Sequence, residues 1–71
     1  MKRLSIAIVE PSPIILEGVA TIVSHSPSLR VVGAVATLGE LQAILRNTEV
    51  DVLVASVSLS RDIEGVARLL R

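Results

Sequence analysis

The sequence predicts an α/β protein built on a parallel three-stranded sheet, and two observations carry that prediction. Apolar, β-rich runs alternate with segments of helical period three times in 71 residues, in the order β-α-β-α-β-α with short connections. The strand runs are apolar on both of their alternating faces, as strands covered by helices on both sides must be. Right-handed crossovers carried outward on both sides of the first strand then give the strand order 2-1-3. They put the first helix on one face and the second and third on the other.

The first strand is "RLSIAIV" (3–9), with Leu4, Ile6 and Ile8 on one face and Ala7 and Val9 on the other. In "PSPIILEGVATIVSHS" (11–26), Ser12 can cap a helix and Pro13 fits its first turn, where a missing N–H costs nothing. Ile15, Val19, Ile22 and Val23 then recur at helical spacing; together with Ile14 they are expected to be chiefly core, with one flank free for an interface. "LRVVGAVA" (29–36) is the second strand. "TLGELQAILRN" (37–47) is the second helix, with Thr37 and Glu40 spaced as a capping box, Leu41, Ile44 and Leu45 as its apolar stripe and Asn47 as its stop.

"DVLVAS" (51–56) is the third strand, with Asp51 punctuating its start. "VSLSRD" (57–62) reads as a polar loop. "IEGVARLLR" (63–71) reads as a last helix that turns Ile63, Val66, Leu69 and Leu70 inward. No linker, low-complexity segment or repeat beyond the alternation is visible.

Composition removes several functions. Without Phe, Tyr, Trp or Cys, the core must be aliphatic, and disulfides and cysteine-based metal or redox chemistry are excluded. Seven basic and seven acidic residues cancel, leaving no basic stripe to neutralise phosphates and no aromatic platform for bases. The basic start is followed by an apolar segment that Glu10 and Pro11 cut short, unlike a secretion signal. Charges interrupt every run before the roughly 18 apolar residues a membrane span requires. A cytoplasmic protein with no membrane partner is the expectation.

In open parallel sheets ligands sit beyond the carboxyl ends of the strands. Here those ends carry Glu10, Pro11 and Ser12, then Ala36 and Thr37, then Ser56 and Ser58. "EPSP" has no glycine and two prolines without N–H groups, so it cannot cradle a pyrophosphate, and no Gly-Lys-Ser/Thr phosphate loop exists.

The stretch from "LSIAIVEPSPIILEGV" to "DVLVAS" resembles the first half of a response-regulator receiver domain, of the kind attached to LuxR/NarL-type helix-turn-helix transcription factors. Such receivers read "Ile-Val-Asp-Asp-His-Pro" after the first strand, then a helix with "Glu-Gly". Glu10, Pro11, Ser12 and Pro13 fall on the first of these motifs and Glu17-Gly18 on the second. The family's third strand reads "Asp-Val-Val-Leu-Leu-Asp-Leu-x-Met-Pro-Gly", its second Asp being the phosphoacceptor; Ser56 stands at that aspartate, Leu59 at the Met and Ser60 at the Pro. The resemblance implies a flavodoxin-like (receiver-like) fold, truncated relative to a full receiver. Residues 1–71 would form a single domain, about the first half of that fold, with no output domain present.

The departures matter chemically. Forming an acyl phosphate takes a carboxylate nucleophile, and Mg²⁺ takes several hard oxygen ligands. Ser56 is the phosphoacceptor-equivalent position but, with a hydroxyl and no neighbouring base, it is not expected to be phosphorylated. Glu10 and Pro11 are a vestigial acidic pocket, since Pro11 replaces the second acid. Glu10 is better read as an acid in water beside a helix N-terminus than as a cation ligand. His25 suits the C-terminus of the first helix, and nothing beside it implies catalysis.

The resemblance therefore implies no enzyme, no metal and no cofactor, but an atypical, phosphorylation-independent receiver-like regulatory and dimerisation module of two-component signalling and transcription regulation. DNA would be reached only through an output domain. Two alternatives stay open: a cryptic phosphoacceptor using Ser56, and a small-ligand or nucleotide binder using the carboxyl-end crevice. Homo-oligomerisation is expected through the third-strand edge or the exposed sheet face, because an unpaired edge recruits other chains.

Overall fold

Six consecutive residues with large aliphatic side chains at every second position form β1, Leu4–Val9, and β1 becomes the centre of the sheet. The computed structural model describes residues 2–59. After β1 come α1 (Pro13–Ser24), β2 (Leu29–Val35), α2 (Leu38–Asn47), β3 (Val52–Ala55) and a short 3₁₀ turn (Val57–Leu59). β1 pairs in parallel with β2 on one side and β3 on the other, giving the predicted order 2-1-3. No helix among the described residues is long and apolar enough to cross a membrane.

The core lies mainly between the sheet and α2. Ala7 and Val9 of β1 cluster with Leu41 and Leu45 of α2 and with Val50, just ahead of β3. Leu41 is 0% exposed, and burying a side chain of that size contributes about 1.5–3 kcal/mol. Alternation sends Ile6 and Ile8 to the opposite face, where both are buried and α1 packs across β1 and β2. The predicted stripe of α2 is therefore the observed one, with Ile44 half-buried against the same cluster.

A bulge in β2 decides what reaches that core. Val31 lies opposite Ile6, but Gly33, and not Val32, lies opposite Ala7. The extra residue shifts the alternation, so two successive positions, Val32 and Gly33, belong to the α2 side. Val35, opposite Val9, then also packs against the core cluster; without the bulge it would turn to the α1 face. Gly33 sits under Ile44, whose Cδ1 occupies the space a β-carbon would need and whose Cγ1 would be 3.3 Å away.

Three expectations need correction. Ile14, Ile15 and Ile22 are exposed, not core; α1 turns Leu16, Val19, Ala20 and Val23 partly inward and has no fully buried residue. A helix that is apolar nearly all round gives no periodic signal for which side meets the sheet. Second, the start of the predicted polar loop is ordered as the 3₁₀ turn, closed by the Leu59 N–H on the Ser56 carbonyl at 3.0 Å, because Leu59 finds apolar cover against the α2-side cluster. Third, β3 is four residues long, with Asp51 and Ser56 flanking it. The predicted last helix, 63–71, lies outside the described residues.

Candidate functional site

Ladder register builds the carboxyl end of the sheet. Val9 lies opposite both Val35 and Ala55, so the next residues along, Glu10, Ala36 and Ser56, leave the sheet at one level. Backbone bonds continue past the strands: the Glu10 N–H donates to the Val35 carbonyl at 3.0 Å and the Ser56 N–H to the Val9 carbonyl at 3.1 Å. Glu10 and Ser56 are thus one strand spacing apart, about 5 Å. The fold sets the backbones of Glu10 and Ser56 side by side at the carboxyl end of the sheet, and Pro11 follows Glu10 in the loop.

Their side chains serve their own loops. Glu10 Oε2 accepts from the Ser12 N–H at 2.7 Å, closing a tight turn over Pro11. Ser56 Oγ and Ser58 Oγ are 2.9 Å apart, and the Ser58 N–H reaches Ser56 Oγ at 3.3 Å. Glu10 and Ser56 are half-buried and Pro11 is exposed. The carboxylate has one oxygen committed to the backbone, and the residue after it is a proline, whose side chain offers no polar atom. The Ser56 hydroxyl has another hydroxyl as its neighbour, which does not raise its nucleophilicity as a base would. Among the described residues no three His, Cys, Asp or Glu side chains converge where a cation could sit.

The two helix starts differ. Ser12 stands at the N-cap of α1 with Pro13 next, but its hydroxyl makes no capping bond, contrary to the reading of Ser12 as a cap. The Glu10 carboxylate has already engaged Ser12 through its backbone. At α2 the capping pair forms: Thr37 Oγ1 accepts from the Glu40 N–H at 3.2 Å and donates to Glu40 Oε1 at 3.0 Å. Glu40 therefore meets the threonine hydroxyl instead of the backbone N–H of the usual box. His25 is the exposed C-cap of α1, its N–H on the Ile22 carbonyl at 3.3 Å.

Two features lie away from the carboxyl end of the sheet. At the amino ends of the strands, Ser5 is the buried polar side chain of the described core, and Arg30 Nη2 donates to its Oγ at 3.3 Å. Asp51 joins them, and Lys2 and Thr48 line the same shallow depression. A lone serine inside the apolar run of β1 was the available signal. The second feature is a groove on the outer side of α1, lined by Ile14, Glu17, Gly18, Thr21 and Ile22.

Fold and site together define a small α/β protein with a parallel sheet in the order 2-1-3. Comparison of the chain with family models, with curated proteins and with solved structures returns no match.

Proposed function

We propose that this chain is a receiver-like regulatory module of a two-component-type transcriptional regulator, acting by self-association and not by phosphoryl transfer. The parallel order 2-1-3, with α1 and α2 on opposite faces, fits the first half of a flavodoxin-like receiver. The observation that carries the reading is the state of Glu10. Its carboxylate is folded onto the Ser12 N–H, beside a proline, at the level of a serine. A phosphoryl-transfer site at this place would need a carboxylate nucleophile and paired acids to hold Mg²⁺. Here the same backbone frame holds one acid, used to shape a turn.

With a formal net charge of zero, the chain offers no electrostatic footprint for nucleic acid. Any DNA contact made by such a regulator belongs to an output domain, and this module would govern how copies come together.

Incubation with acetyl phosphate, or with BeF₃⁻, and Mg²⁺ tests the reading directly. Intact mass should show no phosphorylated species, and fluorine NMR should show no protein-bound fluoroberyllate. A phosphoryl group mapped to Ser56 would overturn it in favour of a cryptic phosphoacceptor.

A further inference from the structure

Among the described residues, the buried core is complete without α1. The cluster of Ala7, Val9, Leu41, Leu45 and Val50, with the half-buried residues packed against it, draws on the strands, α2 and the turns beside β3, and none of it comes from α1. α1 covers the opposite face, where Ile6 and Ile8 of β1 are 3% and 1% exposed. Yet α1 has no fully buried residue of its own.

Its local chemistry does not compensate. The Ser12 hydroxyl makes no capping bond, and there is no acid in the first turn and no base in the last to complement the helix dipole. Ile14, Ile15, Val19, Thr21, Ile22 and Val23 are β-branched, which costs side-chain freedom in a helix. Gly18 adds the backbone freedom of glycine at mid-helix, where a β-carbon would meet no atom within 4 Å. Thr21 Oγ1 donates back to the Glu17 carbonyl at 2.8 Å and Ser24 Oγ to the Thr21 carbonyl at 2.9 Å, side-chain bonds that compete with the helix ladder. α2 is the reverse in each respect: capped by Thr37, with Glu40 in its first turn, Arg46 in its last, and Leu41 and Leu45 buried.

We propose that α1 is a lid on its face of the sheet, opening as a unit and uncovering Ile6 and Ile8 while the three strands and α2 stay folded. Proteins open in such cooperative pieces, and the pieces with few buried contacts open first. Opening α1 gives up the cover of two isoleucines and of its own half-buried side chains, and returns the conformational freedom of twelve residues. Opening α2 would dismantle the cluster that holds the strands together. The proposal goes beyond the reading of function above and stands without it.

Hydrogen exchange of the full chain, followed by NMR in low urea, is the test. The central amides of α1, from Val19 to Ile22, should share one opening constant. It should be at least about tenfold larger than that at Ile8 and Leu45, and less dependent on urea. Thr37→Ala removes the α2 cap and should lower protection at Ile8 and Leu45 about fivefold. It should leave α1 unchanged, because α2 is folded both before and after the lid opens. Gly18→Ala should raise protection within α1 about fivefold. One opening constant shared by α1, Ile8 and Leu45, all falling together in Thr37→Ala, would make the fold a single cooperative unit and overturn the proposal. So would protection in α1 that is graded inward from its ends, which is fraying, or that Gly18→Ala does not move.

Discussion

Asp51 and Ser5 hold each other in both directions: the Ser5 N–H donates to Asp51 Oδ2 at 2.8 Å, and the Asp51 N–H donates to the Ser5 carbonyl at 2.9 Å. The carboxylate thus stands in for one more rung of the β1–β3 ladder, whose regular register begins at Ile6 and Val52. Ser5 is buried, so its N–H has no ready exchange with water.

Asp51→Ala should therefore leave a buried donor without a partner and lower stability by about 1–3 kcal/mol. Asp51→Asn keeps an acceptor oxygen in place and should lose less. Urea unfolding of the two variants checks this. An alanine variant within about 0.5 kcal/mol of the parent would mean the pair does not pin β3.

The two helix starts should respond unequally to the same truncation. Thr37→Ala removes the acceptor for the Glu40 N–H and should cost about 1 kcal/mol. Ser12→Ala removes a hydroxyl that makes no capping bond and should stay within about 0.5 kcal/mol of the parent. Thermal melts at one fixed concentration decide it, and the reverse ranking would contradict the capping geometry.

At Gly33 the tip of the Ile44 side chain fills the space that a methyl group would need. Gly33→Ala should destabilise by about 0.5–1.5 kcal/mol, the cost of turning Ile44 off its rotamer, because its β-carbon takes the space of Ile44 Cδ1. Ile44→Val removes that atom and alone should cost about 0.5–1.5 kcal/mol. Combined, the two should cost less than their sum, and a double-mutant cycle by urea denaturation measures the coupling. Strict additivity would show that the contact is not what demands glycine.

Truncating α2 and α1 should give opposite outcomes. Leu41→Ala empties a fully buried site and should lose about 2–5 kcal/mol, a large share of what a domain this small possesses. Ile22→Ala, measured at a concentration where the chain is monomeric, should change stability by less than about 0.5 kcal/mol, because that side chain is exposed. Far-UV circular dichroism with urea titration separates the two. A loss at Ile22 as large as that at Leu41 would mean α1 packs through its outer face.

Much of this protein was legible in its residues. The β-α alternation, strands apolar on both faces, the Thr37–Glu40 cap and the inward stripe of α2 are short-range properties, set by steric period and local hydrogen bonding. Right-handed crossovers, carried outward on both sides of the first strand as in doubly wound sheets, then extend that information to the strand order 2-1-3. The placing of Glu10 beside Ser56 at the carboxyl end of the sheet follows from the same topology.

Three things were decided only when the layers packed. One residue of bulge at Val32 reverses the faces of the rest of β2 and delivers Val35 to the α2-side core; Gly33 beside it is the one local mark, and it does not say which face the extra residue joins. Ser5 and Asp51 become partners across a separation of 46 residues, a pairing invisible to any window along the chain. α1, apolar on nearly every side, leaves Ile14 and Ile22 outside because the sheet can cover only one side of a helix. Period tells a chain which residues share a face; only the arrangement of neighbouring elements determines whether that face is covered.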